Sequence, residues 1–304
     1  MLAQSKVLIV GGTGSLGGEI TRLLSEAGHE VRVLVRQTTE PGKRESLERL
    51  HGVQLVPGDL KDPRSLDAAC TGIDVVVSTA SAIPPHQPDD SIEAVDERGQ
   101  LALVAAAERA RLRRFVFVSF APQPATFALQ SAKRKVEAAL ASSSLDFTVL
   151  QPTFFIEFWL SAHAKFDPMN GEVQILGDGN QRTSWVSVHD VARFALAACD
   201  DPAFSRITLP LGGPDALSPF EVVKIFEELG APTRKDEPPV PAEALLANVL
   251  AAPNPVAEAF AALMHGAAVG QPIDAGPQLR LLSGRLTTVR DYARAIQQRN
   301  KEER

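Results

Sequence analysis

The sequence is poor in cysteine and contains no long apolar segment. Its 304 residues include only Cys70 and Cys199, which form no C-x-x-C pair, and its histidines are not clustered. We therefore expect neither a disulfide framework nor a metal site, and a reducing compartment suits the chain. No apolar run approaches the roughly 20 residues of a membrane-spanning helix, and Met1 leads almost directly into the first predicted strand. Neither a membrane partner nor a signal peptide is expected, and the expected location is cytoplasmic.

The chain also lacks an excess of positive charge. Its formal net charge is −6, and the one basic block is Arg109-Ala-Arg-Leu-Arg-Arg114. That block is typical of a solvated helix end in front of a strand, so nucleic acid is not an expected partner. With 44% hydrophobic residues the chain can bury a large core, either as one α/β domain with an appendage or as two small domains.

A glycine-rich turn close to the start of the chain is the strongest motif present. An apolar run ends in this turn and a helical pattern follows it, and the turn consists of Gly11, Gly12, Thr13, Gly14, Ser15, Leu16 and Gly17. The continuous apolar run is typical of a buried parallel strand. Gly11 permits a sharp turn, Gly14 lets a pyrophosphate approach the main chain, and Gly17 lets the helix pack on the strand. Because a helix N-terminus favours an anion, we interpret the motif as dinucleotide-binding rather than as a merely structural turn.

The end of the second predicted strand indicates which dinucleotide binds. Arg36 follows Glu30 to Val35, where a side chain should reach the adenosine ribose. An acidic residue there would bind the ribose 2′-hydroxyl, whereas a guanidinium pairs with a 2′-phosphate in bidentate fashion. We therefore expect NADP(H). Lys43 or Arg44 could close the other side of the phosphate, although each is also typical of a solvent-facing charge.

Strands and helices alternate over residues 1–152, which predicts a Rossmann-type doubly wound parallel sheet of the α/β class. Ligands bind such sheets outside the carboxyl ends of the strands. Asp59 and Leu60 should therefore lie over the adenine, and Asp62 is expected to cap the next helix and leave Asp59 available. The same argument places Thr79, Ala80 and Ser81 beneath the cofactor and Ser119 at a further strand end.

Residues 153–304 are predicted to form a smaller, substrate-facing α/β domain, with some segments returning to the main sheet. Phe154, Phe155 and Trp159 follow a strand directly and, with Phe120, are candidates for the substrate wall; core packing is the alternative. His163 and His189 are not expected to transfer protons, and His189-Asp190 is expected to cap a helix. Prolines interrupt the alanine-rich pattern from 242 to 268, which indicates either a mobile helical lid or a packing hairpin.

Lys133 lies on a predicted helix between two strands, four residues before Glu137. Taken alone, the basic residues around it are typical of a solvated face. The chain, however, resembles the NmrA-like branch of the atypical short-chain dehydrogenase/reductase family, which includes isoflavone reductases and phenylcoumaran benzylic ether reductases. The features that carry the resemblance are Gly11 to Gly17, Arg36, Gly58 to Leu60, Lys133 with Val136-Glu137, Thr148 to Phe154, Val188 to Ala192, Leu209 to Gly230 and Thr288 to Ala293.

The resemblance implies that Lys133 lies against the nicotinamide ribose and serves as a general acid/base, and that Pro152, Thr153 and Phe154 contact the cofactor. Two departures accompany it. The better-known relatives have a tyrosine four residues before the lysine, but Leu129 stands there and the one tyrosine is Tyr292. Gln151 stands where many NmrA-like chains have an arginine, which places in doubt any anionic contact from this position.

The expected function is an NADPH-dependent reductase of a small apolar substrate of aromatic, enone or quinone type, with hydride from the nicotinamide and a proton through Lys133. The first alternative is a non-catalytic NAD(P)-binding redox sensor that regulates a partner protein. An epimerase of nucleotide sugars shares the fold but would need the tyrosine, so it ranks last. The sequence leaves the substrate's identity and the oligomeric state open, and a homodimer is compatible with it.

Overall fold

A computed structural model of the chain describes residues 4–232 and 237–302. The strands are β1 (Lys6–Val10), β2 (Glu30–Val35), β3 (Val53–Pro57), β4 (Val75–Ser78), β5 (Arg114–Val118), β6 (Asp146–Pro152), β7 (Phe166–Asp167), β8 (Glu172–Val173), β9 (Thr183–Ser184), β10 (Ile207–Leu211) and β11 (Ala216–Leu217). The α-helices are α1 (Ser15–Glu26), α2 (Pro41–Glu48), α3 (Pro63–Cys70), α4 (Gln100–Arg109), α5 (Ala128–Ser142), α6 (Ile156–Trp159), α7 (Val188–Asp200), α8 (Pro219–Glu228), α9 (Ala242–Leu250), α10 (Pro255–Val269), α11 (Gly276–Leu279) and α12 (Val289–Glu302). A π-helical segment, Ile92–Gly99, precedes α4.

The chain divides into two compact units. The first consists of Met1–Phe120, Ala128–Gln151 and Val191–Leu209. It is built on a seven-stranded sheet in the order β10-β6-β5-β4-β1-β2-β3, and the pairings among β1 to β6 are all parallel. The reversal of strand order between β1 and β4 is the topological switch point of a Rossmann-type sheet. The predicted fold class is therefore confirmed.

The central strands are buried on both faces, as their unbroken apolar runs predict. Val7 to Ile9 of β1, Val75 to Val77 of β4 and Phe115 to Phe117 of β5 have no exposed surface. Helices on either side of the sheet cover these strands, and continuous burial of apolar area is the main favourable contribution to folding. The sheet thus provides a rigid base for the loops at its carboxyl edge.

Two local features go beyond or differ from the sequence analysis. The segment Ile92–Gly99 is π-helical and continues into α4, a distinction that apolar periodicity does not make. His189 and Asp190 lie inside α7 rather than ahead of it; the Ser187 hydroxyl accepts from the His189 N–H at 3.0 Å. The expected cap at Asp62 is present, since its carboxylate accepts from the Arg64 N–H at 3.1 Å.

The second unit consists of Ala121–Phe127, Pro152–Asp190 and Pro210–Arg304. It contains two short antiparallel ladders, β7 with β8 and β9 with β11. Helix α8 begins with a capping box formed by Ser218 and Glu221, and α9 packs against α10 as a hairpin. Whether that hairpin acts as a lid stays a prediction, as does the boundary at residue 152. No helix within residues 4–232 and 237–302 is both long and apolar enough to span a membrane.

Candidate dinucleotide site

A cavity of about 360 Å³ lies at the carboxyl ends of β1, β2, β3 and β4. This is the switch-point position at which open α/β sheets bind ligands. Many of the predicted cofactor residues line it: Gly11, Thr13, Gly14, Ser15, Leu16, Gly17, Arg36, Asp59, Leu60, Thr79, Ala80 and Ser81. The remaining candidates do not line it: Gly12, Lys43, Ser119, Lys133, Pro152, Thr153 and Phe154.

The glycines of the turn differ in what a side chain would meet. Gly11 has a φ of +96°, and a Cβ there would lie 2.6 Å from Thr79 Oγ1. At Gly17 a Cβ would lie 2.2 Å from the Gly11 carbonyl oxygen, so close packing of α1 on the turn requires glycine. At Gly14 the nearest protein atom is 3.5 Å away, an ordinary contact. Because the fold does not need glycine at position 14, a ligand that approaches the main chain explains it better.

The N-terminus of α1 completes the binding surface for a pyrophosphate. Gly14 is the N-cap residue, and no side chain of the described chain caps the helix. The first N–H groups of a helix have no intrahelical acceptor, and they carry the positive end of the helix dipole. The turn therefore fits an anionic group, which meets the requirement for a bound dinucleotide.

Arg36 is held by a carboxylate that sequence reasoning missed. Its Nη1 donates to Asp90 Oδ2 at 2.9 Å, and Asp90 Oδ1 accepts from Lys61 Nζ at 2.8 Å. The N–H groups of His86 and Gln87 also donate to Asp90 Oδ2, each at 3.0 Å. Burial would raise the pKa of Asp90, but the hydrogen bonds from Lys61, Arg36 and His86 outweigh it and hold the pKa well below its usual range. No motif marks Asp90, and its two cationic partners, Arg36 and Lys61, lie far away in sequence.

The contact with Asp90 leaves most of the Arg36 guanidinium available. Over the described residues, Nη1 to Asp90 is its one hydrogen bond, so the other N–H donors can meet a phosphate. Asp59 is more engaged than expected, because its Oδ1 accepts from the Lys61 N–H at 2.9 Å. Lys43 pairs with Glu40 at 3.5 Å, half of its side chain is exposed, and it does not line the cavity, so its contact with the 2′-phosphate stays a prediction.

Lys133 lies on α5 with its ammonium group inside the first unit. Only 4% of the residue is exposed, and Nζ lies 3.5 Å from Asp96 Oδ1 and 5.0 Å from the centre of the Phe117 ring. Among the described residues Nζ makes no hydrogen bond within normal distance. The buried hydroxyl of Ser119, at the end of β5, has no partner there either. These two groups are available to a ligand, since buried polar groups are nearly always hydrogen-bonded.

The charges next to Lys133 on α5 are paired elsewhere. Arg134 binds Glu137 at 2.6 Å and lies over the Phe120 ring at 5.5 Å, and Lys135 pairs with Glu97 at 2.8 Å. Gln151, where many NmrA-like chains have arginine, donates to Glu137 at 3.1 Å. A substrate contact of Phe120 stays a prediction.

The first residue of the aromatic stretch after β6 is buried in the core of the second unit. Phe154 is 3% exposed, and its ring centre lies 4.9 Å from that of Trp159 and 6.2 Å from that of Trp185. Thr153 donates its hydroxyl hydrogen to the Ser184 carbonyl. Core packing therefore accounts for Phe154, while Phe155 and Trp159 are only half-buried and a substrate contact at either stays a prediction.

The fold and the site together define a dinucleotide-binding α/β protein of the Rossmann type. The profile of the NmrA-like family matches residues 3–280, and the chain belongs to that family. Proteins named isoflavone reductase homologue and phenylcoumaran benzylic ether reductase are among its relatives, as the resemblance implies.

Individual relatives include both an enzyme and an assembly factor. The chain is 32% identical to NAD(P)H azoreductase of Xenophilus azovorans over 234 residues, which cover 75% of each chain. It is 31% identical over 228 residues to photosystem II assembly factor Ycf39 of Synechocystis, covering 74% of this chain and 67% of that one. Its structure is similar to that of AtPrR2 with NADP+ and (+)pinoresinol, with a TM-score of 0.76, 25% identity and coverage of 97% and 99%. These relatives confirm NADP(H) as the cofactor expected for the family, and they support an oxidoreductase.

Proposed function

We propose that this protein is an NADPH-dependent reductase of a small apolar substrate of aromatic, enone or quinone type, placed among the atypical short-chain dehydrogenases/reductases. The observation that carries the proposal is Lys133, a buried ammonium group whose N–H donors have no hydrogen-bond acceptor in the described chain. A buried cation is costly, so its retention suggests a use in binding or proton transfer.

The mechanism assigns separate tasks to the residues of the first unit. The glycine turn and the N-terminus of α1 hold the pyrophosphate, and Arg36 pairs with the 2′-phosphate. When bound, NADPH supplies the hydride. Lys133 donates a hydrogen bond to the ribose through one N–H and transfers the proton of another N–H to the substrate atom that gains negative charge. The substrate would thus gain a hydride from the cofactor and a proton from Lys133, and Lys133 would regain its proton from solvent.

A non-catalytic sensor is the second candidate, and one observation favours it: the relative Ycf39 is named as an assembly factor. The lack of a tyrosine four residues before Lys133 is compatible with both candidates. Tyr292, on α12, is an unsuitable acid, because burial raises its pKa to about 12. In this alternative Lys133 would contribute to cofactor binding alone.

A turnover assay separates the two candidates. The protein is incubated with NADPH and a panel of quinones, enones, azo dyes and aryl ethers, and loss of the reduced nicotinamide absorbance is followed. We expect turnover of at least one class, above the rate with NADPH alone. Tight NADPH binding with no turnover of any class would contradict the reductase and support the sensor.

Two further points accompany this proposal. The sequence leaves the oligomeric state open and is compatible with a homodimer, and light scattering of the protein with and without NADPH distinguishes a dimer from a monomer. The cytoplasmic location is tested by fractionation of the cells that produce the protein.

A further inference from the structure

Asp96 is a fully buried carboxylate in the π-helical segment. It has no exposed surface, and its Oδ2 accepts from the Ala82 N–H at 2.9 Å. Its Oδ1 lies 3.5 Å from Lys133 Nζ and makes no hydrogen bond to any described residue. π-Helical turns are rare and occur frequently at functional sites.

The Asp96 carboxylate needs the charge of Lys133. An isolated carboxylate is very costly to bury, and removal of one partner of a buried ion pair is strongly destabilising. Across the described chain Asp96 forms an ion pair with no cation except Lys133. The distance of 3.5 Å is longer than that of a hydrogen-bonded salt bridge, so the N–H groups of the Lys133 ammonium can still donate hydrogen bonds to a ligand.

The same carboxylate fixes the loop that follows β4. Asp96 binds the Ala82 N–H, and Gln100 Nε2 donates to the Ala80 carbonyl at 3.0 Å. Gln100 is itself held by the Ser78 hydroxyl at 2.8 Å. Ser81 and Ile83, on either side of Ala82, line the cavity. Asp96 therefore contacts both the cavity wall and the lysine on α5.

We propose that Asp96 is a positioning residue for Lys133. Its carboxylate, which is fixed by the Ala82 N–H, keeps the Lys133 ammonium group at a constant position relative to the loop from Thr79 to Ile83. The kinetic part of this inference rests on the proposed reductase function, and the structural part does not. Asp96 could not be predicted from the sequence, because its partners Ala82 and Lys133 lie on other elements.

A stability cycle tests the pairing without any substrate. Lys133→Met leaves the carboxylate without its cation, so we expect the melting temperature to fall by roughly 5–10 °C. Asp96→Asn keeps an acceptor for the Ala82 N–H, and adding it to Lys133→Met should recover at least half of the loss. Lys135→Met, on the same helix but exposed, is the matched control and should change little. If the losses of the two single variants simply add in the double variant, the pairing is refuted whether or not the protein is an enzyme.

A kinetic cycle tests the positioning role, with the best substrate of the panel. Asp96→Asn should lower kcat about tenfold while the Kd for NADPH changes less than about threefold, since positioning acts on the reacting geometry. In a Lys133→Ala background the same change should have no further effect on kcat. An equal loss in both backgrounds would show that Asp96 acts independently of Lys133 and would overturn the inference. If Lys133→Met does not fold, kcat of the Asp96→Asn variant still tests the inference, and an unchanged kcat would overturn it. If no substrate is turned over, the reductase proposal fails and the stability cycle still decides on the pair.

Discussion

At the scale of single residues, we expect Arg36 to discriminate between the two nicotinamide cofactors. Asp90 holds one edge of its guanidinium, and the remaining donors suit a 2′-phosphate. We expect Arg36→Ala to lower NADPH affinity about ten- to a hundredfold, which corresponds to about 1.5–3 kcal/mol, with little effect on NADH. Fluorescence titration with both cofactors measures the change. Arg49→Ala, which removes an exposed cation at the end of α2, is the control and should leave both affinities unchanged. Equal affinities for NADPH and NADH in the original protein would contradict the role of Arg36.

Asp90 makes stability depend on pH in the acid range. A carboxyl whose folded-state pKa is lowered contributes stability that is complete above its unfolded pKa of about 4 and is lost as the pH falls toward the folded value. Below about pH 4 the free energy of unfolding should therefore fall more steeply in the original protein than in Asp90→Asn. Urea unfolding at several pH values measures both slopes. Asp89→Asn is the control. Asp89 is largely exposed and pairs with Lys61 but not with Arg36, so we expect this substitution to change the pH dependence of the free energy of unfolding less than Asp90→Asn does. Parallel slopes for the original protein and Asp90→Asn would contradict this account.

At the scale of elements, two glycines of the turn between β1 and α1 are expected to have different roles. We expect Gly14 to be required for cofactor binding and Gly17 to be required for folding. A Cβ at Gly14 meets no protein atom closer than 3.5 Å, whereas at Gly17 it meets the Gly11 carbonyl at 2.2 Å. Gly14→Ala should keep its melting temperature within about 2 °C and lose at least about tenfold in NADPH affinity, since the methyl group occupies the pyrophosphate position. Gly17→Ala should lower the melting temperature by several degrees instead. Thermal unfolding with and without NADPH measures both effects, and full NADPH affinity in a folded Gly14→Ala variant would contradict the assignment.

The features that the sequence predicts well are those whose interacting residues lie close together in the chain. The glycine turn, Arg36 after β2 and the cap at Asp62 depend on residues within one or two turns of each other. Asp90 and Asp96 could not be predicted in the same way. Lys61 meets Asp90 across 29 positions, and Lys133 meets Asp96 from another helix, so only the folded sheet brings them together.

At the scale of the whole molecule, the alternation of strands and helices predicts the parallel sheet from β1 to β6, because parallel strands joined through a helix almost always follow the same crossover rule. The seventh strand is less predictable, since β10 joins the edge beside β6 only after more than fifty intervening residues of other structure. In the second unit most strands are only two residues long, and Phe154, Phe166, Trp185 and Phe226 are buried in the core. Phe154 shows the limit: residue type indicates burial, but not whether a neighbour or a ligand covers the ring.

The central claim is that Lys133 transfers a proton during reduction, and the most direct test is kcat for variants of this residue with an active substrate. Lys133→Ala should lower kcat by roughly a hundredfold or more, and cofactor affinity should fall less. Lys133→Arg should also be impaired, because a guanidinium keeps the charge but does not release a proton near neutral pH. Lys135→Ala, the exposed neighbour paired with Glu97, should retain the original kcat. Full activity in Lys133→Arg would leave Lys133 a positioning role only, and full activity in Lys133→Ala would contradict the account.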